Sequence, residues 1–450
     1  MMIQSFNRFK KHLLASLTVI AVVFCMTLNP AQAVEVERVV SPGGIEAWLI
    51  HDPTNPVTTM KLSFRGGAAL DPVGKEGLAN FVASTLDEGA GDMDSSAFQK
   101  ALDDRSISLR FGSGRDSFQG SLRTLNKYRD DAFEYLRLAL NAPRFDADPL
   151  TRIRAQILSG IMQKKEDPSS LANRSIFETA FKGHAYARDT DGSRESVLSI
   201  TPDDMREFVH QRLARNNLVI GVVGDIDAAT LKIYLDKTFG ALPAKAAPWK
   251  LPQIVPHLQG SLKVIDQDVP QSSVQFAQPG ISRDDPDFYT AYVLNYILGG
   301  GGFVSRLYDE VREKRGLAYS VYTYLMPLDA GALVMGGAGT ANARVGETVA
   351  TVRDVWKKFA AEGPTQHELD DAKTYLTGAF PLRFTSSSAI AGMLVGMQED
   401  HLGIDYIDKR NGYIQAVTLK DAKRVAAKLY QPEKLSFAIA GRPSGVTASE

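Results

Sequence analysis

The residues best equipped for chemistry lie within residues 298–324. Arg312 and Tyr319 stand seven residues apart on either side of Gly316. Arg312 belongs to a charged segment in which Leu307 and Val311 fall one helical turn apart, and Tyr319 heads a run alternating through Val321 and Thr323. The spacing predicts a short helix, a glycine stop and a strand. A guanidinium and a phenol brought together in this way can both donate hydrogen bonds to one carbonyl oxygen or oxyanion. Taken alone, the two residues fit a surface arginine and a half-buried tyrosine better. Gly299, Gly300, Gly301 and Gly302 precede them. A glycine run before a helix suggests a phosphate cradle, but no Gly-Lys-Ser/Thr follows, which leaves that reading weak.

Elsewhere the search for catalytic patterns returns negatives. No two of the seven histidines lie three or four residues apart, so neither H-E-x-x-H nor the inverted H-x-x-E-H can be written. His184 follows a helix end and reads as structural, His367 opens a helix, and His401 reads as a solvated turn. No G-x-S-x-G elbow occurs, and Ser386-Ser387-Ser388 reads as a loop.

The elements that must position Arg312 and Tyr319 belong to a chain of 450 residues with 44% hydrophobic and 23% charged residues and a net charge of −1. That length calls for two or three domains. The balance excludes a nucleic-acid-binding basic domain and a charged tail. Arg8, Lys10 and Lys11 precede an apolar run over residues 13–28 and then Ala31-Gln32-Ala33, the pattern of a secretory signal peptide over residues 1–33. A retained membrane anchor is the alternative reading. The only cysteine, Cys25, lies in this segment, so cleavage leaves a chain without disulfides or thiolate metal sites. A periplasmic location is expected.

Strands are expected over residues 45–51, 58–64 and 218–223, a hairpin over 107–125, and helices over 77–86, 127–141 and 149–165. Pro243, Pro248, Pro252 and Pro256 mark a linker over residues 243–260. Beyond it the pattern repeats. Residues 201–224 align without gaps to 418–441, matching Thr201 to Thr418, Asp204 to Asp421 and Gly224 to Gly441. At nearly the same offset, Phe64, Leu86 and Gly89 match Phe276, Leu298 and Gly301. Two copies of one α+β unit are expected, residues 34–242 and 261–450, each a largely antiparallel sheet with helices on one face. The glycine-rich stretch is then the second-half counterpart of residues 89–102.

These residues carry a resemblance. Gly77-Leu78-Ala79-Asn80-Phe81, His184-Ala185-Tyr186 with Gly192, residues 201–227, Phe239-Gly240-Ala241-Leu242-Pro243 and the stretch around Arg312 together resemble the M16 (pitrilysin/insulinase, mitochondrial processing peptidase-like) family over the whole mature length. The resemblance implies two homologous α+β domains facing each other as a clamshell. Active members carry H-x-x-E-H on the helix after Gly-Leu-Ala, with a third glutamate ligand on a later helix. Here the motif reads Asn80, Phe81, Val82, Ala83, Ser84, and the region around Ser159-Gly160-Ile161 offers no carboxylate. Zinc needs three protein ligands and a base for its water, so no cofactor is expected in this chain. The family's arginine and tyrosine, seven apart and reaching toward the scissile peptide, match Arg312 and Tyr319, and its substrate-handling glycine loop matches Gly299, Gly300, Gly301 and Gly302. The resemblance thus implies a metal-free subunit that pairs with an H-x-x-E-H-bearing M16 chain, zinc being in the partner, and handles an unfolded peptide. A non-enzymatic scaffold or peptide binder is the alternative.

Overall fold

The computed structural model describes residues 35–449, so the expected signal peptide lies outside the described residues. Residues from Glu37 onward form one compact unit with two sheets. The first half contains β1 (Glu37–Val40), β2 (Glu46–His51), β3 (Val57–Arg65), β4 (Ser108–Ser113), β5 (Ser117–Leu125) and β6 (Leu218–Gly224). Its helices are α1 (Leu78–Ala83), α2 (Ser95–Asp104), α3 (Arg129–Asn141), α4 (Ala147–Glu166), α5 (Pro168–Ala180), α6 (Arg194–Ser199), α7 (Pro202–Arg212) and α8 (Ala228–Phe239). The second half contains β7 (Leu262–Asp266), β8 (Gln271–Pro279), β9 (Ala318–Leu328), β10 (Gly331–Ala341) and β11 (Ser436–Gly441). Its helices are α9 (Phe288–Asn295), α10 (Val345–Glu362), α11 (Gln366–Gly378), α12 (Ser387–Glu399), α13 (Tyr406–Gln415) and α14 (Leu419–Leu429).

Strand order is β1-β2-β6-β3-β5-β4 in the first sheet and β7-β11-β8-β10-β9 in the second. Among the described residues, only β2–β6 and β7–β11 pair in parallel. Period-two alternation sets the faces. On β3, Met60, Leu62 and Phe64 enter the first core, while Lys61, Ser63 and Arg65 take the other face. On β8, Val274 and Phe276 do the same in the second core. The repeated cap holds as well: the Thr201 and Thr418 side chains accept hydrogen bonds from the N–H groups of Asp204 and Asp421, starting α7 and α14.

Each sheet carries its own half's helices on one face and a helix borrowed from the other half on the opposite face. Helix α12 lies on β6 and β3, and α5 lies on β8 and β11. Gly221 permits the first of these contacts, because a Cβ there would stand 2.5 Å from the Ala391 carbonyl oxygen of α12. Gln398 donates to the Ile220 carbonyl at 2.9 Å, and Ser63 donates to Glu399. In the reciprocal contact Ala172, Ile176 and Phe177 of α5 pack on Ala277, Met335 and Ala438. The exchange corrects the reading of Ser386-Ser387-Ser388 as a loop. Ser386 is the N-cap of α12, its hydroxyl accepting from the Ala389 N–H, so these serines begin a helix.

The proline-rich segment is laid along both halves. Ile254 N–H donates to the Ala330 carbonyl at 2.8 Å, His257 N–H to the Ala180 carbonyl at 2.7 Å, and Leu258 is buried. Among the described residues no helix is long and apolar enough to cross a membrane.

Candidate functional site

Helix α9 runs into a widened turn, Tyr296–Gly300, which holds Gly299 and Gly300. A Cβ on Gly299 would lie 2.6 Å from Thr323 Oγ1, so the glycine lets this turn sit directly on β9. Gly301 caps the turn, and Gly302 opens a short turn, Gly302–Val304, at φ 59°. Arg312 lies on a second wide-turned helix, Tyr308–Glu313, anchored by buried Leu307, Tyr308 and Val311. Upstream, Arg306 grips Glu368 of α11 with two parallel bonds of 2.6 and 2.7 Å and donates to the Gly363 carbonyl. Burial pushes the Glu368 carboxyl up, but the Arg306 fork and the Thr365 N–H and hydroxyl outweigh it and hold it at about 2.

The alternation through Tyr319, Val321 and Thr323 places all three on one face of β9. The structure corrects this. Ala338 pairs with Val321 but Thr340 with Ala318, so β9 spends an extra residue there: a β-bulge. Ala318 and Val321 turn inward and Tyr319 turns out, 82% exposed. The bulge thereby aims Tyr319 at Arg312, whose guanidinium carbon lies 4.8 Å from the Tyr319 ring centroid. The same carbon is 4.8 Å from the ring of Tyr308 and 5.7 Å from that of Phe303. A guanidinium among three aromatic rings is held by cation–π attraction, and among the described residues no hydrogen bond or ion pair takes its N–H rim. The acids one turn away are engaged by others: Lys314 pairs with Asp309 and Glu310, and Arg315 pairs with Glu310. Phe303 and Val304, at the tip of the glycine turn, are 76% and 74% exposed. These two apolar residues were absent from the sequence reading, although an apolar pair directly after four glycines is a legible sign of an exposed tip. Among the described residues, the buried hydroxyls of Tyr308 and Thr323 and the Asn295 side-chain amide oxygen lack hydrogen-bond partners beneath this surface. An exposed phenol beside this guanidinium can present two donors to one oxygen atom.

The region of the missing zinc motif is built differently. Helix α1 is seated by Asp71, whose carboxyl accepts from the N–H groups of Gly77 and Ala79 at 2.9 and 3.1 Å. Burial pushes that carboxyl up to about 7 against the pull of those N–H groups. Asn80 is half-buried, Ala83 is buried, and the Ser84 hydroxyl donates back to the Asn80 carbonyl at 2.8 Å. Helix α4, which carries Ser159, Gly160 and Ile161, packs beside α1, and none of these three residues is a carboxylate. These side chains do not fit zinc. Among the described residues no group of three or more His, Cys, Asp or Glu could hold a metal ion.

Residues 47–193 match the Insulinase (Peptidase family M16) family, and residues 199–376 match the Peptidase M16 inactive domain. The Helicobacter pylori protein named non-peptidase homolog YmxG is 29% identical over 385 residues, spanning 85% of this chain and 89% of that protein. The probable mitochondrial-processing peptidase subunit beta of Schizosaccharomyces pombe is 22% identical over 419 residues, or 88% and 89% of the two chains. A crystal structure of a peptidase M16 inactive domain from Pseudomonas fluorescens matches with a TM-score of 0.85 at 31% identity, covering 92% of this chain and 99% of that one.

Proposed function

The chain belongs to the M16 peptidase family as one of its inactive, non-peptidase members, and from that premise we propose that it is the metal-free subunit of a two-chain periplasmic M16 peptidase. The partner is an M16 chain with an intact H-x-x-E-H motif, which holds zinc and supplies the activation of water. This chain binds the unfolded substrate and, through Arg312 and Tyr319, donates hydrogen bonds to the carbonyl oxygen as it gains negative charge. Gly299, Gly300, Gly301 and Gly302, with Phe303 and Val304 at their tip, form the substrate-binding margin. The observation that carries this reading is the bulge that turns Tyr319 onto Arg312 while the zinc positions Asn80, Ala83 and Ser84 have lost every ligand. A bulge that re-aims one side chain at an edge strand is the kind of device found beside functional sites.

The test is peptide cleavage by the assembled pair. Tyr319→Phe should lower kcat by about 10²–10³, the usual cost of removing one oxyanion donor, while co-purification with the partner is unchanged. Full activity of that complex overturns the proposal. The second reading, a scaffold or peptide binder without a role in catalysis, draws on the relative named a non-peptidase homolog. It predicts that Tyr319→Phe leaves cleavage untouched.

A further inference from the structure

The face of the second sheet that receives α5 holds a polar niche at the margin of that helix. Gly337 of β10 stands opposite Tyr322 of β9 on one side and Gln275 of β8 on the other, and pleating puts all three on this face. Gln275 also stands opposite Ala438, which lies under α5. A Cβ on Gly337 would lie 2.8 Å from the Tyr322 hydroxyl oxygen and 2.9 and 3.0 Å from Nε2 and Oε1 of Gln275. The glycine thus lets a phenol from the edge strand and a carboxamide from the central strand close over one point of the sheet. Gln275 is only 7% exposed, yet among the described residues no hydrogen bond takes its carboxamide or the Tyr322 hydroxyl. A polar group buried without a partner costs stability. The Tyr322 ring is 43% exposed and is backed by the parallel ring of Tyr324, 6.2 Å away. One pleat along β10, a Cβ on Gly339 would meet open space.

The first half contains a control. Phe64 matches Phe276, and strand pairing carries that match across the sheet, so Ser63, Gln119 and Gly112 take the places of Gln275, Gly337 and Tyr322. There Ser63 donates to Glu399 and fastens the borrowed helix α12. Among the described residues Gln275, in the same place, makes no such bond to α5. One position pins a helix in the first half and keeps an unengaged carboxamide in the second.

We propose that Gln275 and Tyr322 form a binding subsite for the backbone of the substrate peptide. In an extended chain the N–H and C=O of one residue point to the same side, and a carboxamide offers them an acceptor and a donor side by side. Tyr322 adds its hydroxyl, and its exposed ring gives a neighbouring side chain a surface to pack on. Tyr319 and Tyr322 project from the same face on either side of the bulge, about 7 Å apart along the strand. The residue held by Gln275 therefore lies two or three positions from the carbonyl at Arg312 and Tyr319. This subsite rests on the reading of the chain as a handler of unfolded peptide, and it holds backbone whatever the side chains.

The test is cleavage by the pair of this chain and its H-x-x-E-H-bearing M16 partner, using unstructured peptides N-methylated at one backbone nitrogen at a time. Gln275→Leu keeps the side chain's approximate size and removes its donor and acceptor. It should raise KM about tenfold with little change in kcat, and leave the melting temperature unchanged or raised, because the carboxamide has no partner to lose. With wild type, N-methylation two or three residues from the cleaved bond should raise KM by a similar factor, and the two losses should not add. Tyr322→Ala removes an exposed ring and should raise KM several-fold. An unchanged KM in either variant overturns the proposal while the peptide-handling reading, judged by Tyr319→Phe, stands. So does a lowered melting temperature for Gln275→Leu, which would make the carboxamide structural, or full additivity at every N-methyl position. Absence of cleavage of every peptide by the assembled pair overturns both.

Discussion

The two halves share strand order, caps and the exchange of one helix, yet they have parted where those constraints end. In the first half the helix after Gly77 holds Asn80, Ala83 and a Ser84 folded back on its own backbone, and Lys61, Arg110 and Arg123 share one face of the sheet. In the second half the corresponding region carries a glycine turn, a bulged edge strand and the Arg312–Tyr319 pair, and the sheet face is uncharged. Positions that hold the fold together stayed matched: Thr201 with Thr418, Gly224 with Gly441, Phe64 with Phe276. Positions facing solvent diverged. Duplication thus gave one chain two surfaces of different chemistry on a common frame.

The largest expected effect tests whether the halves are one cooperative unit. Trp356 is fully buried in the second core and donates to Gln278 Oε1 at 2.8 Å. Trp356→Ala should cost about 3–5 kcal/mol, and because each sheet borrows a helix from the other half, denaturant unfolding should show one shifted transition. Two separated transitions would mean independent halves. Next, Gly221→Ala should cost about 1–3 kcal/mol by driving a methyl into the Ala391 carbonyl and lifting α12 from β6. A wild-type unfolding midpoint for this variant would show that the borrowed helix does not need that close approach.

A smaller effect separates the second-half site from the first. Glu368, held at about 2 by the Arg306 fork and the Thr365 cap, has a folded value below its unfolded value of about 4.3. Its contribution is present above the unfolded value and lost as pH falls from about 4 toward 2. Arg306→Ala should therefore flatten the acid limb of the stability curve in that window and loosen the segment leading to Arg312. An acid limb identical to wild type would mean that the fork does not anchor it. The smallest effect concerns two cations of the first sheet: K61Q/R123Q should change stability by no more than about 0.5 kcal/mol, because neither side chain has an ion-pair partner among the described residues. A loss well above that would make these cations structural.

The duplication, the strand and helix pattern and the Arg312–Tyr319 spacing were legible because periodicity, caps and glycine stops are local signals. Three features were not. The helix exchange leaves no trace in periodicity, since α12 looks the same whichever sheet it covers, and the serines that begin it mimic a loop. The bulge at Tyr319 inverts the face that alternation assigns, and its cause lies in the pairing with β10, remote in sequence. The cations that share one face of the first sheet are scattered over three strands and come together only when Lys61, Arg110 and Arg123 are placed in register.

The central claim is a division of labour between two chains, and the most direct measurement is zinc content and peptide cleavage for this chain purified alone and together with an H-x-x-E-H-bearing M16 partner. The account predicts no bound zinc and no cleavage for the isolated chain, and both in the complex. Stoichiometric zinc with cleavage by the isolated chain would contradict it.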